Sequence, residues 1–227
     1  MGVDLNQPSL SVFILLRSLG VGGAERQVSV LAKALCERGH KVTIGLFYGG
    51  GEWEEKLQDA GVTICHLHKK GRWDLWGWFR RYLKAIRDAN PDVIYSFLPT
   101  ANIVAIMGKF FIRKPIVWGI RASNMELQNY DWLASITIWI ERNVSRFADK
   151  IIFNSHYGLR YHESLNYCVI HGVVIPNGID TTAFKPLSAE EKTKIRNQLG
   201  IPQNAFVIGM LARVDPIKDY ETYLAAA

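Results

Sequence analysis

Short apolar runs alternate with longer amphipathic stretches along most of the chain. Runs rich in β-branched and aromatic residues predict strands at 11–17, 41–47, 62–67, 92–97, 115–120, 150–155 and 172–176. Apolar residues at helical spacing predict helices at 24–37, 52–59, 75–89, 101–110, 132–147 and 156–166. The alternation predicts an α/β fold, a parallel sheet with helices on both faces, whose ligands bind at the carboxyl ends of the strands.

The pattern restarts near the end of the chain. A charged helix with a capping box at Ser188 and Glu191 ends at Gly200, and we expect a buried strand beginning at Ala205 and a helix begun by Asp215 and Pro216. A lone strand and helix cannot bury their own faces. We therefore expect a Rossmann-like domain over 1–182, followed over 183–227 by a linker helix and the truncated start of a second Rossmann-like domain.

Composition narrows the class of protein. With 48% hydrophobic and 11% aromatic residues, the chain is typical of globular proteins. Its three cysteines are scattered and lack a C-x-x-C pair, which favours free thiols in a reducing compartment over disulfides or zinc. The first apolar run is too short to span a bilayer and has no basic flank, so we predict a cytoplasmic protein.

The net charge of +6 is concentrated between Lys69 and Arg87, where seven basic residues accompany one acidic residue. Tryptophans at 73, 76 and 78 lie in the same segment. Tryptophan with basic residues favours an anionic membrane surface over nucleic acid. The predicted membrane contacts are Trp73, Trp76, Arg80, Arg81 and Lys84. The alternative is an amphipathic helix with a merely solvated basic face, whose core positions are Leu75, Phe79, Tyr82, Leu83 and Ile86.

A glycine-rich turn, "LGVGGAERQ" (19–27), follows the first predicted strand. Gly20 and Gly22 fit a dinucleotide fingerprint, but Glu25 occupies the third glycine position, and the second strand ends without a ribose-binding carboxylate. Small residues at a helix N-terminus still let backbone N–H groups approach an anion. The alternative is a tight turn without a ligand.

Other polar residues also fall at predicted strand ends. Ser96, Asn102, Ser123 and Asn124 are candidates for contact with sugar hydroxyls, and Thr100 is a candidate for the same role or for a helix N-cap. His66 and His68 lack an acidic or cysteine partner, so we predict no metal site. His156 and His162 are predicted to lie on a helix surface.

Four segments in order resemble glycosyltransferase family 4: the glycine turn, "VVIPNGIDTTAFKP" (173–186), "LGIPQNAFVIG" (199–209) and "LARVDPIKD" (211–219). The resemblance implies a GT-B enzyme with two facing Rossmann-like domains. The first would bind the acceptor and the second the nucleotide-sugar donor. It also implies transfer with retention of anomeric configuration, without a metal or other cofactor.

The resemblance assigns roles to particular residues. Gly22 and Gly23 would face the donor diphosphate, Glu25 would complete a G-G-x-E pattern on the acceptor side, and Arg213 with Lys218 would grip the diphosphate unless they are simply solvated. Many members carry a histidine where this chain has Arg121. Arginine cannot act as a base, so Arg121, our tentative catalytic residue, is expected to anchor an anion unless it is a surface residue.

These expectations describe a hexosyltransferase type of enzyme that acts on a lipid-linked or glycan acceptor at the cytoplasmic membrane face, without nucleic-acid partners. The family's acidic E-x7-E motif is absent from the chain, so we expect the chain alone to be inactive. Two alternatives remain: a non-catalytic module that binds membranes or anions and, less favoured, a Rossmann oxidoreductase.

Overall fold

The computed structural model describes residues 8–71, 74–121, 132–182, 184–212, 214 and 218–226. The chain divides into two compact units, Met1–Gly178 and Ile179–Ala227, and each is described by itself. None of the helices in these described ranges is long and apolar enough to cross a bilayer.

The first unit is built on a seven-stranded sheet in which every neighbouring pair is parallel. The strands are β1 (Ser11–Leu16), β2 (Lys41–Leu46), β3 (Thr63–His66), β4 (Val93–Phe97), β5 (Ile116–Ile120), β6 (Lys150–Phe153) and β7 (Gly172–Val174). Their order is β3-β2-β1-β4-β5-β6-β7, so the chain reverses direction across the sheet between β1 and β4. The predicted α/β class and parallel sheet are confirmed.

Six helices in the described part of the first unit connect these strands: α1 (Gly23–Glu37), α2 (Glu54–Asp59), α3 (Trp76–Ala89), α4 (Pro99–Ile112), α5 (Trp132–Val144) and α6 (His156–Ser164). A 3₁₀ turn, Ser145–Phe147, follows α5. Side chains alternate between the faces of a strand, so Phe13 and Leu15 of β1 pack in one core with α3 and α4, while Ile14 and Leu16 pack in the other with α1. Helices therefore cover both faces, as the apolar strands predicted.

The core face of α3 is confirmed at four of its five expected positions. Phe79, Tyr82, Leu83 and Ile86 are buried, whereas Leu75 is exposed because it lies at the N-cap, before the first turn of the helix.

Trp78, which belongs to the same basic segment, is buried, and its ring packs edge-on against Phe47 with 4.6 Å between centroids. The surface prediction for His162 is wrong. This ring is buried beside Phe153 and Tyr167, on the side of α6 that faces the sheet. Burial lowers the pKa of His162, although its hydrogen bond with the Gly158 carbonyl opposes the shift.

The second unit contains α7 (Ala189–Gln198) and α8 (Tyr220–Ala225). The predicted capping box is present, since Ser188 accepts from the Glu191 amide and Glu191 accepts from the Ser188 amide. The buried strand expected from Ala205 is wrong: residues 205–212 form no strand, and Phe206 is 91% exposed. A strand needs a neighbour to satisfy its backbone, and the described part of this unit offers none. The expected helix start at Asp215 and Pro216 lies outside the described residues.

Candidate ligand-binding edge of the sheet

The glycine turn between β1 and α1 rests on the loop that follows β2. Leu19 is buried at its base, and the Leu19 carbonyl accepts a hydrogen bond from the Trp53 amide at 3.4 Å. Behind it, Gly51 approaches so closely that a Cβ there would lie 2.3 Å from the Leu19 carbonyl carbon and oxygen. The loop that follows β2 therefore supports the glycine turn through contact between their backbones.

The three glycines of the turn differ in what surrounds them. None of Gly20, Gly22 and Gly23 has a positive φ. At Gly22 a Cβ would lie 2.1 Å from the Glu25 carboxylate, which folds back over the helix start, so a larger residue there would displace the end of that flexible side chain. At Gly20 and Gly23 a Cβ would meet nothing within 4 Å. Internal packing therefore does not explain Gly23, and the first turn of α1 is open to an approaching anion.

Gln27, in the second turn of α1, ties this helix to the segment after β7. Its side-chain amide donates to the Gly178 carbonyl at 3.0 Å and accepts from the Gly178 amide at 3.1 Å. The sequence predicted no role for Gln27, although it is the last residue of the glycine turn (19–27). The pairing brings the "PNG" segment (176–178) next to the glycine turn.

Arg121, directly after β5, is held by neighbouring strands. Its Nη1 donates to Asn177 Oδ1 at 2.9 Å, its Nη2 donates to the Tyr95 hydroxyl at 3.2 Å, and the guanidinium lies 5.2 Å from the centroid of Phe97. Asn154, after β6, donates to the Arg121 carbonyl. Burial raises the pKa of Tyr95, and the Arg121 charge opposes that shift.

The guanidinium of Arg121 is thus a fixed cation that still has N–H groups available to donate hydrogen bonds. Arg121 is half-buried, and its Nε is a buried donor without a hydrogen-bond partner among the described residues. Arginine carries five N–H groups, of which the protein contacts named above use two. A fixed cation of this kind can bind an anion, but it cannot accept a proton.

A buried polar network lies beneath the ends of β4 and β5. Ser96 Oγ donates to Asn102 Oδ1, Asn102 Nδ2 donates to Glu141 Oε1, and the Tyr167 hydroxyl donates to Glu141 Oε2, each at 2.7 Å. All four residues are buried. Burial raises the pKa of Glu141, and the two donated hydrogen bonds oppose the shift.

This network corrects the acceptor-binding roles predicted for Ser96 and Asn102. Ser96 lies on the inward side of β4, and Asn102 lies on the inward side of α4, so their polar atoms are directed to each other and to Glu141 rather than to solvent. Glu141 itself was missed, because a carboxylate in an apolar helical stretch gives no sign of its partners on other elements.

The turn from β4 into α4 is strained beside this network. Leu98 has a φ of 75° and a ψ of 151°, a conformation that residues with a side chain rarely adopt. Leu98, rather than Thr100, is the N-cap of α4, so the capping alternative for Thr100 is wrong. A cavity of about 30 Å³ lies between Leu98, Arg121, Glu141 and His162, with room for water but not for a sugar.

The basic face of α3 is partly engaged within the protein. Trp76 is 72% exposed and Arg80 is exposed, as predicted for membrane contacts. Lys84 forms an ion pair with Asp88. Arg81 has a structural role, which corrects its assignment as a free membrane contact: it donates to the Leu67 and His68 carbonyls and pairs with Asp74. Trp73 lies outside the described residues.

The remaining predicted residues belong to other elements of the chain or lie outside the described residues. Lys218 is exposed just before α8 in the second unit. Arg213, Ser123 and Asn124 lie outside the described residues. His66 Nε2 lies 3.3 Å from Glu54 Oε2, and within the described ranges no group of three potential metal ligands occurs.

Solved structures share the fold of this chain. HepE from Anabaena, solved in complex with UDP, superposes with a TM-score of 0.80 at 23% identity, covering 96% of this chain and 57% of that chain. Sucrose-phosphate synthase from Thermosynechococcus elongatus superposes with a TM-score of 0.75 at 14% identity, covering 95% and 58%. The Rossmann-like parallel sheet expected for the first domain of a GT-B enzyme is thereby confirmed.

A curated relative from Campylobacter jejuni is 28% identical over 182 residues, which cover 65% of this chain and 50% of that protein. Its name is GalNAc-alpha-(1->4)-GalNAc-alpha-(1->3)-diNAcBac-PP-undecaprenol alpha-1,4-N-acetyl-D-galactosaminyltransferase. The chain therefore spans about half the length of the relatives it matches. The family model for Glycosyltransferase Family 4 matches residues 21–183, well over half of the chain and from the glycine turn to beyond β7. The chain belongs to glycosyltransferase family 4.

Proposed function

We propose that the chain forms the acceptor-side half of a retaining glycosyltransferase that transfers a sugar from a nucleotide-sugar donor to a lipid-linked or glycan acceptor. The supporting observation is that Asn177 and Gly178 bridge Arg121 and Gln27, so the fixed cation and the open glycine turn belong to one assembly. The names of two relatives support this: one names a PP-undecaprenol glycan, and HepE from Anabaena was solved with UDP-glucose. Polysaccharide or cell-envelope glycan synthesis is the proposed setting.

The proposed chemistry is charge stabilisation at the diphosphate. When the bond between the sugar and the donor phosphate breaks, the electron pair leaves with the nucleoside diphosphate. Amide N–H groups at Gly22 and Gly23 and the guanidinium of Arg121 would stabilise that negative charge. Arg213 and Lys218 would add positive charge from the second unit, and the reaction would need no metal. Glu25 is proposed to meet the acceptor beside the turn.

We propose further that the 227-residue chain does not transfer sugar alone, because it lacks the acidic motif of the family's donor half. The complete enzyme would act at the inner membrane face, where Trp76 and Arg80 of α3 contact anionic lipid. These two exposed side chains support that location.

The decisive experiment is a sugar-transfer assay with a panel of labelled nucleotide sugars and polyprenyl-diphosphate-linked acceptors. It compares the 227-residue chain with a protein in which the donor half is present, and we expect transfer from the second only. In that protein, Arg121→Gln should lower kcat/KM roughly a hundredfold, as loss of a transition-state donor does. Arg38→Gln, which removes an exposed arginine at the end of α1, is the matched control.

Three outcomes would contradict the proposal. Full activity in the Arg121→Gln variant would remove Arg121 from the site. Lipid or anion binding without transfer, even with the donor half present, would favour the non-catalytic module. Saturable binding of NADH would revive the oxidoreductase.

A further inference from the structure

A cluster of exposed apolar side chains covers the outer surface of α4 and α5. The α4–α5 face is defined by six residues that are each 44–71% exposed: Met107, Phe110, Phe111, Ile136, Trp139 and Phe147. Single exposed apolar residues are ordinary on soluble proteins, but a contiguous cluster of large ones marks an interaction surface.

The six residues belong to one surface rather than to two separate helices. Met107, Phe110 and Phe111 are three and four residues apart on α4, and Ile136 and Trp139 are three apart on α5, so each group shares one side of its helix. Phe110 and Phe147 join the groups, with 6.2 Å between ring centroids. Lys109 strengthens the junction by donating to the Phe147 carbonyl at 2.9 Å.

The surface around this face is strongly basic. Over 99–114 and 132–150 the sequence contains six lysines and arginines but two acidic residues, Glu141 and Asp149. Glu141 is buried in the polar network, and Asp149 pairs with Lys109 at 2.6 Å. Arg113 and Arg146 are exposed, and the Arg146 guanidinium lies 6.0 Å from the Phe147 centroid. Exposed aromatic rings bordered by cations complement the interface of an anionic bilayer.

We infer that the α4–α5 face binds the surface of an anionic membrane, with its aromatic rings in the interfacial layer and Arg113 and Arg146 on lipid phosphates. A second copy of this chain fits less well, because a two-fold contact through this face would place like charges opposite each other. The inference rests on the membrane location in the proposed function and deepens it, since it adds a second lipid-binding surface that requires neither donor nor acceptor. It also differs from the α3 contact, although Phe111 meets Phe79 of α3 at 5.8 Å, so the two surfaces adjoin.

The test is flotation of the 227-residue chain with vesicles of phosphatidylcholine alone or of equal parts phosphatidylcholine and phosphatidylglycerol. The wild type should float with the anionic vesicles and release at high salt. Combining Phe110→Ser with Trp139→Ser should lower the partition coefficient at least about tenfold, because two rings no longer enter the interface. The matched control combines Val21→Ser just before α1 with Val30→Ser on α1, which removes two exposed apolar side chains outside this face.

A charge variant keeps the test independent of aromatic packing. Arg113→Gln with Arg146→Gln should weaken binding to anionic vesicles roughly thirtyfold, since each basic side chain near such a surface contributes about 1 kcal/mol. Lys33→Gln with Arg38→Gln on α1 removes the same charge from the other side of the sheet and should have little effect. Circular dichroism and thermal unfolding establish that each variant folds.

Specific results would overturn the inference. Undiminished flotation of both the aromatic and the charge variants would show that this face does not bind lipid. Concentration-dependent self-association that the aromatic variant abolishes would identify a protein interface instead. Loss of flotation on Trp76→Ser with Arg80→Gln, while the α4–α5 variants float normally, would assign the membrane contact to α3 alone and leave the proposed function intact.

Discussion

Two parts of the same sheet edge differ in whether they are filled from within the protein or left open. Beneath β4 and β5, Ser96, Asn102, Glu141 and Tyr167 direct their side-chain polar atoms to one another, out of reach of solvent. At the start of α1, by contrast, Gly23 faces open space and has no internal reason to be glycine. We call the first part closed, because its polar atoms bond to one another, and the second part open, because nothing lies against Gly23.

The difference separates structural polar residues from those available to a ligand. A buried group whose hydrogen bonds are satisfied internally stabilises the fold, whereas an unexplained absence of a side chain at a helix N-terminus leaves room for something external. Arg121 lies between the two cases, with two N–H groups engaged by the protein and a buried Nε that has no hydrogen-bond partner in the described part of the chain.

The largest expected effect comes from breaking the closed part. Glu141→Ala leaves the Asn102 amide and the Tyr167 hydroxyl buried without their acceptor, so the free energy of unfolding should fall by about 2–4 kcal/mol. Denaturant unfolding followed by circular dichroism measures this. Glu163→Ala, an exposed carboxylate on α6, is the control and should change stability by less than about 0.5 kcal/mol. If Glu141→Ala lowered the free energy of unfolding no more than the control does, the network would contribute no stability.

A pair of glycine substitutions sharpens the contrast within the open part. Gly51→Ala forces a Cβ against the Leu19 backbone and should lower the free energy of unfolding by about 1–3 kcal/mol. Gly23→Ala places a methyl group in open space and should change the same quantity by less than about 0.5 kcal/mol. Thermal unfolding of both variants is the measurement. If Gly23→Ala destabilises the protein as much as Gly51→Ala, the turn is a structural feature rather than an open site.

The smallest expected effect is a pH dependence of stability. Because burial raises the pKa of Glu141 in the folded protein, the folded state holds this proton at pH values where the unfolded chain has released it. Stability should therefore fall as pH rises from the usual glutamate pKa through the raised one, by at most about 1.4 kcal/mol per pH unit. Glu141→Gln removes this slope, so the difference between the two proteins isolates it. Parallel stability curves would contradict the raised pKa.

The sequence predicted the sheet well, and the physical reason is local. All seven strands and the helices between them lie within a few residues of their expected positions, because apolar runs and helical spacing are properties of neighbouring residues. The expected strand from Ala205 failed because a strand depends on a partner that no local pattern supplies. The capping box at Ser188 succeeded because all its contacts lie within four residues.

The features of the candidate site also divide into those that depend on neighbouring residues and those that depend on residues far apart in the chain. The position of the glycine turn followed from the order of its residues, and so did its place at the carboxyl edge. That a Cβ at Gly22 would meet the Glu25 carboxylate, while a Cβ at Gly23 would meet nothing within 4 Å, emerged only from the packing around α1. The roles of Gln27 and Asn177 depend on partners far away in the chain. Gln27 pairs with Gly178, which is 151 residues away, and Asn177 accepts from Arg121, which is 56 residues away.

By itself, the sequence determined the α/β architecture, the order of its elements and the family, since each depends on local periodicity or on motifs that are contiguous in the chain. Only the tertiary structure decided which polar residues are buried together and which remain open. It also determined that Arg81 is held by backbone carbonyls and that exposed aromatic rings gather on α4 and α5. Burial and pairing depend on what other elements place against a residue, and that information lies far away along the chain.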